Sequence, residues 1–294
     1  MIRSMTGFGA ADGQVGDARV SVEIRSVNHR YFSPSIKLPG ALARWEGDAR
    51  DAVKRGVTRG HVTVSARFDR DEDERAIPTI DGARFAAWVE RLRELQVTHG
   101  LSGALDIGTV LRMPELFGGN TREELPEDAG AQLVAIVERA VTALLEMRAA
   151  EGARLVTYLE ERLAVVEACL GRIAERAPLR VTEQRDRLRE AVRALTDGVQ
   201  PDEGRVAQEI AVLADRLDVQ EELSRFKAHI AAFRAALASA QPDGVGKRLG
   251  FLLQEMLREA NTTGSKGNDA AVVAEVLVVK EELERIREQV ENLE

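Results

Sequence analysis

The spacing of hydrophobic and polar positions changes period once along this chain, and the change divides it in two. Through the first seventy residues the period is two. Val20, Val22 and Ile24 alternate with Arg19, Ser21, Glu23 and Arg25, and Val62, Val64, Ala66 and Phe68 alternate with His61, Thr63, Ser65 and Arg67. Such alternation predicts strands with one buried and one wet face. Between them Leu42, Trp45, Ala49, Ala52 and Val53 fall at helical spacing, and GQVGD at 13–17 predicts the turn joining the first two strands. A hairpin, a helix and a further strand predict a small mixed α+β sheet with helices packed on one side. Phe85, Trp88, Val89, Leu92 and Leu95 predict one more helix over 81–99.

From Asp128 onward only helical periodicity remains, interrupted near Pro178 and over 197–202, 241–246 and 264–267. Residues 128–176 predict a single helix of about 70 Å at about 1.5 Å per residue, longer than a small domain is wide and therefore an arm or coiled coil. Two seams at three-four spacing suit pairing: Val219, Leu223, Phe226, Ile230, Phe233 and Leu237, then Val276, Val279, Leu283, Ile286, Val290 and Leu293. The predicted organisation is an α+β domain over 1–127 and an elongated, coiled-coil-like helical domain over 128–294.

Composition agrees with long helices, since charged residues make up 31% of the chain and aromatics only 4%. No apolar run reaches the length of a membrane span and MIRSMTGFGA lacks the apolar core of a signal peptide, so the cytoplasm is the expected compartment. The lone Cys169 has no partner for a disulfide and no neighbouring metal-ligand spacing. Net charge is −8 overall, yet residues 1–70 hold twelve Lys or Arg against seven Asp or Glu. A basic face on the first domain can hold a polyanion that the acidic remainder repels.

Candidate chemistry gathers in three places. A polar island holds Glu255, Arg258, Glu259, Asn261, Thr262, Ser265, Lys266, Asn268 and Asp269, more charge than a helical turn needs for solubility. Asp218, Glu222, Arg225 and His229 flank the first seam at the same spacing, where their carboxylates and imidazole could meet Glu255 and Glu259, bind a divalent cation or move protons. His229 is the only histidine of the helical half, and imidazole changes protonation near neutral pH. In the first domain Arg25, Ser26, Asn28, His29 and Arg30 are echoed by Arg59, Gly60 and His61. Arg contacts phosphate, Asn and His read base edges or sugar hydroxyls, and Tyr31 or Phe32 could stack on an unpaired base, so single-stranded RNA suits the surface. Interhelical salt bridges and turn closure are the plainer uses of the same residues.

No Walker loop, GxGxxG, GxSxG, CxxC pair or HExxH occurs, which removes the usual support for phosphate-loop hydrolysis, hydride transfer, serine hydrolysis and zinc chemistry. The blocks MIRSMTGFG, EIRSVNHRYF, TRGHV, DVQEELSRFKAH, RLGFLLQEMLREANTTGSK and KEELERIREQVENLE together resemble the YicC family, also called YloC, of bacterial endoribonucleases, essentially end to end. The resemblance implies a divalent-metal-dependent RNA endonuclease, with Mn or Mg, that assembles as a homo-oligomer, a hexamer, around RNA and can work beside RNA-degradation machinery. It covers Arg25, Asn28 and Arg30, then Asp218, Glu221, Glu222, Arg225 and His229, then Glu255, Arg258, Glu259, Asn261, Thr262, Ser265 and Lys266. Gly250 stands where the family usually has Asp, and Glu115 where Pro-Gly is usual. The expected mechanism is phosphodiester hydrolysis with Asp218, Glu222, Glu255 and Glu259 holding metal and Arg258 and Lys266 clamping phosphate. A rival route uses His229 as acid or base and the ribose 2′-OH as nucleophile. The non-enzymatic alternative is an RNA-binding clamp or adaptor for another ribonuclease.

Overall fold

A computed structural model describes residues 2–69, 82–110, 125–195, 202–239, 245–267 and 269–294. Glu115 and Asn268 lie outside the described residues. The chain forms two compact units, one of Phe8–Arg25 and His29–Leu144, the other of Met1–Gly7, Ser26–Asn28 and Leu145–Glu294.

The first unit is built on a four-stranded sheet of order β1-β2-β4-β3, with β1 Gly7–Val15, β2 Ala18–Val27, β3 Ser33–Lys37 and β4 His61–Phe68. Of the period-two residues, Val20, Val22, Ile24, Val62 and Val64 are fully buried, whereas Ala66 and Phe68 toward the end of β4 are only half-buried. Helix α1, Glu46–Gly56, adds Ala49, Ala52 and Val53 to that core. Strand β3 was not legible in the alternation because SPSIK contains one apolar residue and a proline. It pairs parallel to β4, with Ser33 opposite His61, and the edge position tolerates a Pro that has no N–H to donate. Gly60 enters β4 at φ 108°, a left-handed conformation that side chains resist. Helix α2, Gly82–His99, lies where its pattern predicts, although Trp88 and Leu95 remain exposed. The short α3 spans Ile107–Val110.

Helix α4, Ala129–Leu195, is 67 residues long and serves both units. It runs through Pro178, contrary to the predicted break. An interior proline removes one hydrogen bond and costs about 3 kcal/mol. Here the turns on either side are held by burial of Ile173, Ala177 and Arg180. Four helices follow among the described residues: α5 Glu203–Leu217, α6 Gln220–Ala238, α7 Val245–Gly267 and α8 Ala270–Val290. Every residue of the two predicted seams is buried, and they share one core with Leu159, Leu163, Val166 and Leu170 of α4. The predicted break at 264–267 is the last turn of α7 instead, and α8 starts at once because the Asp269 carboxylate accepts from the Ala271 and Val272 N–H groups.

Chain ends close the second unit. Arg3 and Glu294 exchange backbone hydrogen bonds at 2.8 and 2.9 Å, and the buried Arg148 pairs with the Glu294 carboxylate while its Nε donates to the Ser4 carbonyl at 2.6 Å. No helix among the described residues is long and apolar enough to cross a membrane.

Candidate functional site

The expected residues of α6 and α7 meet as a row across their packed faces. Lys266 Nζ lies 2.7 Å from the Glu222 carboxylate, and Arg225 Nη1 lies 4.0 Å from Glu259. The partners advance on α6 as they recede on α7, so the helices are antiparallel. One turn further in the same register come His229 and Glu255, each half-buried. No hydrogen bond or ion pair to another described residue engages either side chain. Arg258 is exposed one turn from Glu255, its guanidinium likewise uncommitted among the described residues.

Pairing sorts the predicted residues by the chemistry left to them. Lys266 pairs with Glu222, whose hydrogen bond holds the ammonium above its ordinary pKa. Glu222 and Glu259 are buried, and Glu222 Oε2 has no hydrogen-bond partner among the described residues. Arg225 is exposed and also bonds Glu221 on its own helix. Asp218 lies exposed at the α5–α6 junction, where Oδ1 accepts from the Gln220 N–H at 2.9 Å.

Among the described residues no group of three or more His, Cys, Asp or Glu side chains is placed to hold a metal ion. The reason is local: Asp218 faces a backbone amide, Glu222 a lysine and Glu259 an arginine. Asp218, Glu222, Glu255 and Glu259 are thus not gathered as one ligand set among the described residues.

Gly250 is sterically open, since an added Cβ would meet nothing within 4 Å, so the Asp that the sequence resemblance leads one to expect would have room there. Five residues along a helix rotate a side chain by about 140° from Glu255. A carboxylate at 250 would not join Glu255.

Two residues of this region carry no mark in the seams or the polar island. Arg176 binds Glu183 and Asp269, and that arginine holds the Asp269 carboxyl below its usual range. Arg180 is almost wholly buried and donates to the Lys266 carbonyl. A signal was present, because Ile173, Ala177 and Arg180 continue one apolar stripe and put a charge at a core position.

The basic constellation of the first domain splits between packing and display. Asn28 Nδ2 donates to the Glu291 carbonyl at 2.7 Å, a latch within the helical unit that uses one of the two amide N–H groups. Ser26 Oγ donates to the Met5 carbonyl. Tyr31 N–H donates to His29 Nδ1 at 3.3 Å, Arg59 Nε to the His29 carbonyl at 3.3 Å, and His61 Nδ1 contacts Ser33 Oγ. These bonds shape a knuckle with Arg30 stacked over the exposed Tyr31 at 5.2 Å, while Arg25 lies over Phe8 at 5.6 Å. Displayed guanidinium–aromatic pairs suit phosphate and unpaired bases together.

Comparison with known proteins covers nearly the whole chain. Residues 2–157 match the family described as endoribonuclease YicC-like, N-terminal region, and residues 173–294 its C-terminal counterpart. The chain is 32% identical over 295 residues to the probable endoribonuclease YicC of Clostridioides difficile (strain 630), covering 100% of both sequences. It is 30% identical, again over the full length of both, to the probable endoribonuclease YicC of Haemophilus influenzae.

Proposed function

Because the chain belongs to the endoribonuclease YicC-like family, we propose that it cuts RNA internally at the α6/α7 row, with His229 and Glu255 moving the protons. The observation carrying this reading is that the row's register reaches one half-buried imidazole and one half-buried carboxylate, neither engaged by another described residue, beside two positions that are paired. An acid and a base serving one phosphodiester must stand apart, since one removes a proton from the attacking oxygen while the other protonates the leaving 5′-oxygen. Phosphorus gains one P–O bond and loses another, so the proton balance closes on these two groups. Arg258, exposed one turn from Glu255, would neutralise charge on the non-bridging oxygens. A divalent ion bound here would draw its shell from carboxylates of the row together with water and RNA phosphate.

The test is digestion of a circular and an end-labelled RNA by the purified protein, with and without chelator, followed by analysis of product ends. Linearisation of the circle establishes internal cleavage. A 2′,3′-cyclic phosphate, or loss of cleavage at a 2′-deoxy position, assigns the attack to the ribose hydroxyl, and cleavage that survives the 2′-deoxy substitution assigns it to water. RNA bound but left intact under all conditions would sink the reading in favour of a non-catalytic clamp.

Binding is assigned to the basic surface with Arg25 and Arg30. Replacing both by Ala should weaken RNA affinity and flatten the plot of log K against log salt by roughly 0.7 for each single-strand phosphate that is no longer neutralised. Filter-binding titrations across a salt series measure it; an unchanged slope removes this surface from the RNA path.

A further inference from the structure

We infer that Arg180 is a positioning residue that ties the C-terminal ends of α5 and α7 together and thereby sets the register of the α6/α7 row. The inference rests on the reading of that row as the cleavage site.

Arg180 is 1% exposed and stands on α4 where the stripe of Leu170, Ile173 and Ala177 would continue with an apolar residue. A single nitrogen, Nη2, donates to the Leu217 carbonyl at 3.2 Å and to the Lys266 carbonyl at 3.0 Å. Leu217 is the last residue of α5, and Lys266 lies in the last turn of α7. Carbonyls there have no intrahelical N–H and carry the negative end of the helix dipole, so a guanidinium answers both needs at once. The remaining donors are poorly served, since Nε and Nη1 are buried without partners among the described residues. Burial pushes the guanidinium pKa down, with Asp269 opposing the shift and Arg176 adding to it.

A buried cation with unmatched donors is a weak way to stabilise a core, and well-packed apolar replacements of such groups are often neutral or better. What an apolar side chain cannot do is hold two helix ends by their carbonyls. The contacts close a ring. Arg180 holds the Lys266 carbonyl, Lys266 Nζ holds Glu222, and Glu222 lies five residues past Leu217, whose carbonyl Arg180 also holds. From this ring the row runs through Arg225 and Glu259 to His229 and Glu255. A slip at the ring shifts every later position of the row.

The experiment compares Arg180→Met, Arg180→Lys and His229→Asn with the wild-type full chain, measuring kcat and KM on one RNA, the unfolding midpoint, and amide exchange over 263–267. Arg180→Met should unfold at or above the wild-type midpoint, exchange faster at the end of α7, and lose on the order of 10- to 100-fold in kcat. KM should stay within about twofold, because the effect acts on the reacting geometry and not on RNA capture. Arg180→Lys should fall between Met and wild type, since an ammonium supplies charge and donors without the planar fork. Wild-type kcat in Arg180→Met overturns the inference, as does a loss that merely tracks unfolded protein. Should the Met variant not fold, the Lys variant decides by the same numbers, and wild-type kcat there overturns it. Inactive His229→Asn beside fully active Arg180→Met sinks this inference alone, whereas wild-type cleavage by His229→Asn sinks the row as the site and this inference with it.

Discussion

Glu255→Gln and His229→Asn are each expected to fold, to bind RNA with nearly wild-type affinity, and to lose about 100-fold or more in kcat, the scale at which general acid–base groups contribute. Folding should survive because neither side chain has a hydrogen bond or ion pair within the described residues, so neither substitution orphans a buried partner. Binding should survive because the basic knuckle around Arg30 and the guanidinium of Arg258 are untouched. Glu259→Gln is the informative contrast. Glu259 is buried 4.0 Å from the Arg225 guanidinium and has no proton-transfer role in this mechanism, so its amide should cost less than about tenfold in kcat. Single-turnover cleavage at saturating RNA separates the three variants. Equal losses at Glu255 and Glu259 would point to a shared charge requirement in place of proton transfer, and wild-type rates at Glu255 and His229 would dismiss the row.

Much of the framework could be read along the chain because a helix seam is a one-dimensional pattern. Val219 to Leu237 and Val276 to Leu293 are buried at every predicted position, and so are Val20, Val22, Ile24, Val62 and Val64. Strand β3 escaped because an edge strand with one apolar residue has no alternation to show. The run of α4 through Pro178 escaped because local propensity forbids it and only packing on both sides restores it. Which polar residues of α6 and α7 are spent and which are free depends on interhelical register, and three-four spacing does not contain that register. Asn28 shows the same limit over a longer range: beside His29 and Arg30 it looks like a base reader, yet its amide holds a carbonyl 263 residues away. Arg148 and Arg180 were the legible signal, charges standing at apolar stripe positions of one helix.

The blocks that carry the family resemblance therefore mix packing with chemistry, and MTGFG is a packing block. Gly9→Ala is expected to destabilise the first unit by about 3 kcal/mol or more, the upper range for forcing atoms into a filled core. A Cβ there would lie 2.2 Å from the Ala140 carbonyl oxygen and 2.5 Å from the Leu144 nitrogen, both backbone atoms of α4. Backbone in the middle of a long helix cannot swing aside as the tip of a flexible side chain can. Strand β1 and α4 would have to separate, loosening the burial of Leu133, Ile136 and Val137 nearby. Gly250→Ala provides the opposite sign in the same chain, because its Cβ would meet nothing within 4 Å and alanine favours a helix interior over glycine by about 0.8–1.0 kcal/mol. Urea unfolding followed by Trp45, which packs against Gly130 in the first unit, reads the Gly9 effect, and far-ultraviolet ellipticity reads the Gly250 effect. A Gly9→Ala midpoint equal to wild type would mean that β1 does not lie against the backbone of α4, and the role of this opening block would have to be sought in chemistry after all.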